Sequence, residues 1–302
     1  MTHIISRYLV WVWLPLALSL SGCIFSRPTP DEVITKFAQA SSTLATFQYK
    51  TDLNLAGRLP IAIVEGASNA TVKLVGSANN QNPNSPQFTL QASILGTASA
   101  GGFSINGDLV SVGDYTYFRM TNLSLPTLAP VSLGASSRWY KVRHIATASP
   151  NERKLGVLEK TTFSTEQIEQ LRKLIADTSL FEVTEVLPDA TVGGQRSYHY
   201  RAKFKAESIT SLSQQISSLL GVPMTEQNLN NLSDYQPELW VNKRTFQLSQ
   251  FKLTGLYQTD GVPTVFDLTL GLSHHNEKLT ITPPKESEEL DPKQWLVQRL
   301  PL

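Results

Sequence analysis

From Phe47 onward the chain changes character at every residue. Phe47, Tyr49, Thr51, Leu53 and Leu55 alternate with Gln48, Lys50, Asp52 and Asn54. A strand points successive side chains to opposite faces, so this run has one face to bury and one to leave in water. The same period returns in Val72 and Leu74, and in Phe88, Leu90, Ala92 and Ile94. It returns again where Tyr198, Tyr200, Ala202 and Phe204 oppose His199, Arg201, Lys203 and Lys205. Further strands are read over 137–145, 238–243, 245–257 and 263–273, with a last one near 278–282. "SANNQNPNSP" (77–86) reads as a hairpin loop, and Asn106-Gly107-Asp108 and Gly113-Asp114 read as turns. Repeated alternation of this kind constrains the fold to an antiparallel sheet with one apolar and one wet face.

Three stretches switch to the helical period. Val33, Ile34, Phe37, Ala38 and Leu44 recur at helical spacing, after Asp31 and Glu32 in a first turn. A second helix is read over 164–179, where Ser164 and Gln167 fit a capping box ahead of Ile168, Leu171, Leu174 and Ile175. A third spans 206–224 and is stopped by Gly221 and Pro223, with a short extra helix in 225–234. No Gly/Ser-rich linker divides the chain. The expectation is one α+β domain over 31–284, followed by a C-terminal tail over 285–302 whose Glu286, Glu288, Glu289 and Asp291 read as solvated.

The N-terminus has a different logic. Arg7 precedes an uncharged apolar run, Tyr8 to Leu20, which is short for a membrane span and suits the core of an export signal. Small residues follow, and then Cys23, the one cysteine of the chain. Residues 1–22 therefore read as a signal peptide, with cleavage between Gly22 and Cys23. Residues 23–30, with two prolines and no periodicity, read as a tether. A lone cysteine also means that no intramolecular disulfide holds the domain, so its 41% hydrophobic content must supply an ordinary core.

Basic and acidic side chains number 26 and 25, and loss of Arg7 with the signal makes them equal. That balance gives no electrostatic footprint for nucleic acid.

The run Leu20-Ser21-Gly22-Cys23 resembles the lipobox of bacterial lipoproteins. The resemblance implies a diacylglyceryl group on the Cys23 thiol and acylation of its new amine. The order of elements is similar as well. A lipobox and an amphipathic helix lead into a meander. "YFRM" and "RWYKV" precede a helix, and "SYHYRAKF" and "PELWVNKRTFQLSQFKL" follow it. This resembles the LolA-like superfamily, and within it the LppX/LprG type of lipoprotein. What the resemblance implies is a curved antiparallel half-barrel with helices packed on its concave side. It also implies a hydrophobic cavity for acyl chains of a lipid or of an acylated protein. Asn242 departs from the pattern, because the family often carries an acidic residue there.

Candidate cavity-lining residues are Phe47, Tyr49, Leu53, Phe88, Leu90, Phe103, Phe118 and Phe204. The same side chains equally suit a closed core. There is no G-x-S-x-G, phosphate-cradling glycine loop or H-E-x-x-H, so no catalytic residue, metal ligand or cofactor is nominated. His274, His275 and Glu277 cluster between two strands; adjacent residues on a strand point to opposite faces, so the two imidazoles converge on a metal only in a turn conformation, and no metal site is nominated. His144 and His199 fall on the polar side of strands and read as solvated. Arg201, Lys203 and Lys205 read first as a wet strand face.

Two functions remain. One is a membrane-anchored lipoprotein that binds or carries a lipid or an acylated protein, without covalent chemistry. The other is a cell-envelope interaction module with a filled core and no small ligand. In either case the expected location is the outer face of the cell membrane, or the periplasm or outer membrane.

Overall fold

The computed structural model describes residues 27–57, 59, 66–125, 138–144, 164–220, 235–259 and 262–290. Cys23, the signal segment, half of the tether, the expected helix stop at Gly221 and Pro223, and the helix expected in 225–234 lie outside these residues.

Helix α1 (Pro30–Ser42) starts on a capping box. The Glu32 N–H donates to Thr29 Oγ1 at 3.3 Å, and the Thr29 N–H donates to Glu32 Oε2 at 2.8 Å. Pro30 stands where a missing N–H costs nothing. Strands β1 (Thr46–Gly57), β2 (Ala67–Asn79), β3 (Gln87–Ala98), β4 (Gly101–Val112), β5 (Tyr115–Ser124) and β6 (Tyr140–Arg143) follow as a meander. Helix α2 (Thr165–Asp177), capped reciprocally by Ser164 and Gln167, leads to β7 (Phe181–Val192) and β8 (Gln195–Phe204). Helix α3 (Ala206–Leu220) precedes β9 (Glu238–Asn242), β10 (Leu248–Thr259), β11 (Val262–Ser273) and the short β12 (Glu288–Glu289).

The strands make one open, curved sheet in the order β12-β6-β5-β4-β3-β2-β1-β11-β10-β9-β8-β7. Every pairing is antiparallel except the parallel contact of β12 with β6. The chain thus lays down β1 in the middle, builds outward to β6, and returns with β11 against β1.

Register shows that the alternation read in each strand adds up across the sheet. Tyr49 faces Gly76, which faces Leu90, which faces Leu109, which faces Phe118, which faces Tyr140. In the other direction Leu53 pairs with Leu268 and then Leu253, while Phe251 pairs with Leu239 and then Tyr200. Directly paired residues share a face, so these side chains form one apolar surface from edge to edge. Gln48, Lys50, Asp52 and Asn54 stand on the other face with Lys73, Gln91, Asp108 and Lys252.

α1 lays Val33 and Ile34 on the apolar face at one side of the sheet, against Tyr198, Tyr200, Ala202, Leu239 and Val241. Tyr200, Leu239 and Val241 are 0% exposed there. Each such burial is worth about 1.5–3 kcal/mol before chain entropy is counted. α2 packs on α1 and α3 on α2, so the three helices stack at this side. A second, smaller cluster of Leu59, Ala67, Ala70 and Phe103 closes the far ends of β1 to β4.

Several elements differ from the sequence reading. Strand β7 is absent from it, because two register shifts break its alternation and Pro188 argues against a strand. β7 is an edge strand, where proline and bulges are tolerated and discourage pairing with another chain. Asn106-Gly107-Asp108 is no turn but the middle of β4, where the pairing with β5 slips by one residue. Residues 77–79 belong to β2 rather than to the loop. Residues 278–282 make no strand. The Leu279 carbonyl accepts instead from Asn79 Nδ2 at 3.1 Å, and Pro283 and Pro284, next in sequence, have no N–H for a ladder. Glu288 and Glu289 of the tail are exposed, and they pair with Tyr140 and Lys141.

Candidate functional site

The eight side chains nominated from sequence all stand on the apolar face. Phe47, Tyr49 and Leu53 come from β1, Phe88 and Leu90 from β3, Phe103 from β4, Phe118 from β5 and Phe204 from β8. They do not converge on one point. Phe204 packs with Phe181, ring centroids 5.3 Å apart, near the stacked helices, and Phe181 in turn meets Phe37 of α1. Phe118 packs on Tyr140 at the opposite side, 5.9 Å away.

Two of the eight lie flat against the sheet. The Tyr49 ring crosses Gly76, and its hydroxyl donates to the Thr89 carbonyl at 2.8 Å. The Phe103 ring crosses Gly96, where a Cβ has no room. Phe103 is buried, whereas Tyr49, Leu53, Leu90 and Phe118 are half-buried and Phe88 is 36% exposed. The cover of the apolar face is therefore uneven. It is sealed over β8 and β9 and partly open over β1 to β5, where Met120 is 42% exposed. A cleft of about 680 Å³ lies apart from this face, between α2 and α3, lined by Gln170, Leu174, Thr178, Gln215 and Leu219. That volume is in the range of small-molecule sites.

Several cations of the outer face are tied to neighbours. His199 stacks on Trp240 with centroids 4.2 Å apart, and its Nε2 is 2.9 Å from Glu238 Oε2. Arg201 pairs with Glu185 and Glu238, and Lys203 with Glu182. His144 Nε2 is 2.7 Å from Thr116 Oγ1. Both histidines are thus half-buried and partnered, where the sequence reading has them solvated. Such exposed pairs between strands are worth a few tenths of a kcal/mol to about 1 kcal/mol, and they fit a wet sheet face.

His274 is exposed, while burial lowers the pKa of His275 and leaves its Nε2 without a hydrogen-bond partner among the described residues. Asn242 has a turn role. Its Oδ1 accepts from the N–H groups of Arg244 at 2.8 Å and Thr245 at 3.1 Å. A carboxylate oxygen can accept these two bonds as well, but the Asn242 Nδ2 also donates to Gln195 Oε1, which a carboxylate cannot do.

One cluster escaped the sequence reading because its members are far apart in the chain. Arg27 pairs with Asp189 at 2.9 Å, and Lys243 pairs with the same carboxylate. Arg27 and Lys243 both lie over the Tyr198 ring, at 5.7 and 5.0 Å. Beneath them the Tyr200 hydroxyl is raised in pKa by burial, with the Arg27 charge opposing.

No protein-family profile matches the chain, and no curated protein matches it. Among solved structures it is similar to LprF from Mycobacterium bovis, with 10% identity and a TM-score of 0.44 over 85% of this chain and 98% of that one. It is similar to MucB, with 9% identity and a TM-score of 0.30 over 85% of this chain and 63% of that one. The MucA/MucB complex of Pseudomonas aeruginosa gives 11% identity and a TM-score of 0.26 over 80% of this chain and 56% of that one. The chain thus spans less than two thirds of each of these last two chains. Among the described residues no helix is long and apolar enough to cross a membrane.

Proposed function

We propose that this chain is an exported lipoprotein, cleaved between Gly22 and Cys23 and acylated at Cys23, that binds the acyl chain of a lipid or of an acylated protein on the apolar face of its sheet. The supporting observation is the uneven cover of that face. α1 seals it over β8 and β9, while Leu53, Phe88, Leu90 and Phe118 keep part of their surface accessible. Apolar surface left in water costs about 25 cal/mol per Å², so an acyl chain is favoured there over solvent. At the anchor, each buried methylene contributes about 0.8 kcal/mol, and two or three chains on Cys23 hold a protein at a membrane stably. The protein then sits at the outer face of the cell membrane, or in the periplasm or outer membrane. It carries its ligand by burial alone.

The test uses the mature protein taken from the envelope in mild detergent. Its intact mass reports the diacylglyceryl group on Cys23. Native mass spectrometry and solvent extraction report a second, non-covalent lipid. The reading expects that lipid at one per chain and its loss in Leu53→Glu and Leu90→Glu. Protein that retains none, and takes up no added phospholipid or fatty acid, would leave the carrier reading without support.

A different observation favours the interaction module. Leu256 and Val265 pair on the outer face and are 59% and 52% exposed. Val75 and Leu95 are also exposed on that face. A protein surface contact there needs no cavity. Charged substitutions at Leu256 and Val265 that abolish partner capture, with lipid content unchanged, separate this reading from the first.

A further inference from the structure

At one end of the sheet five basic side chains come together from four parts of the chain. Arg27 lies four residues beyond Cys23, Lys36 is on α1, Arg196 opens β8, and Lys243 and Arg244 form the β9–β10 turn. The contacts that join them are specific. Arg27 and Lys243 share Asp189 and both lie over Tyr198. The Lys243 N–H donates to the Arg196 carbonyl at 3.0 Å. Lys36 lies over Phe246, 4.9 Å from its centroid, and Phe246 stacks on Tyr198 at 6.4 Å. Arg196 and Arg244 are exposed, with no ion-pair partner among the described residues. Among the carboxylates at this end, Asp189 is already shared by two cations, Glu32 in the first turn of α1 is engaged in the capping box, and Glu277 acts on His275 near Leu248. The end is therefore locally basic on a chain whose charges otherwise balance.

We infer that this end is a membrane-contact surface that engages the phosphates of anionic phospholipids beside the anchor. The inference rests on the acylation of Cys23 proposed above. Four residues reach at most about 14 Å, so an anchor at Cys23 holds Arg27 at headgroup depth. The link from Arg27 to Asp189 and Tyr198 then brings Lys243, Arg244 and Arg196 to the same plane. Guanidinium groups at an anionic surface bind phosphate oxygens in pairs and add the second signal that stable anchoring uses. The turn at Ser99–Ala100, at the other end of the strands, is held away from the bilayer.

The experiment is hydrogen–deuterium exchange on the mature, acylated protein. It is reconstituted in vesicles of pure phosphatidylcholine or of phosphatidylcholine with 30% phosphatidylglycerol, an amount set at about the anionic content of many membranes. Segments 193–197 and 242–246 should exchange more slowly on the anionic vesicles, by about fivefold for each arginine in contact, and the difference should vanish at high salt. Ser99–Ala100 should exchange alike on both. R196E/R244E changes two exposed side chains and should abolish the difference while leaving the protein on both vesicles. Equal exchange at these segments on both lipids overturns the inference, as does protection at Ser99–Ala100 that matches theirs. Absence of an acyl group from the intact mass is a separate result and overturns the anchor reading instead.

Discussion

The two sides of the sheet carry the same kind of apolar face and treat it differently. Over β8 and β9, helix α1 buries Tyr200, Leu239 and Val241 completely. Over β3 and β5, Phe88, Leu90 and Phe118 share that face and remain partly accessible. Alternation is present in both regions, in β8 on the covered side and in β3 on the other. What differs is the partner above it. Burial on the covered side comes from a helix held there by its cap and by Phe37 against Phe181. One half of the face is thus a fully buried core, and on the other the described side chains keep part of their surface accessible.

The comparison can be broken by truncation. Leu239→Ala should cost about 3 kcal/mol in a urea titration, because it empties a fully packed site. Leu90→Ala should cost less than about 1 kcal/mol, since its side chain is only half-buried to begin with. Equal losses would mean that both halves are closed core.

A next-largest effect is expected where a ring lies across a glycine. Gly76→Ala sets a methyl group against the Thr89 carbonyl and the Tyr49 ring, and should destabilise by about 2 kcal/mol. Tyr49→Ala in the same chain should recover part of that loss. If Gly76→Ala is silent in thermal melts, the open half is looser than its packing indicates.

On the covered side, Asn242→Ala removes the acceptor of two turn N–H groups and should cost about 1 kcal/mol. Asn242→Asp keeps those two acceptor bonds but loses the Nδ2 donation to Gln195, and should fall between the unaltered chain and Asn242→Ala.

The smallest effect concerns acidity. His275 has its pKa lowered by burial, with a backbone hydrogen bond at Leu248 and Glu277 opposing and His274 adding to the shift. The unfolded chain therefore takes up this proton more readily than the folded one. The His275 contribution is intact above the ordinary value of 6.5 and is lost as pH falls below it. His275→Phe should flatten that part of the stability profile below pH 6.5.

Much of this architecture was legible because its signal is local. Tyr198, Tyr200, Ala202 and Phe204 announce β8 and its buried side without any knowledge of neighbours, as Ser164 and Gln167 announce the start of α2. β7 was illegible because its bulges and Pro188 erase the period that makes a strand visible. Gly107 read as a turn because a glycine beside Asn and Asp looks the same in a bulge as in a hairpin. The eight nominated side chains share the apolar face, but their spread along it was hidden. Alternation fixes a side of the sheet and carries no information about distance across strands.

The sequence by itself determined which side of β1, β2, β3 and β8 is apolar, where helices begin, and that one cysteine follows one export-like apolar run. Those properties follow from spacing along a chain of fixed geometry. Only the tertiary structure decided that β11 closes on β1, that α1 covers β8 and β9 and leaves β3 and β5 partly open, and that Arg27, Asp189 and Lys243 meet. Those outcomes depend on register between segments more than a hundred residues apart, and no local pattern records it.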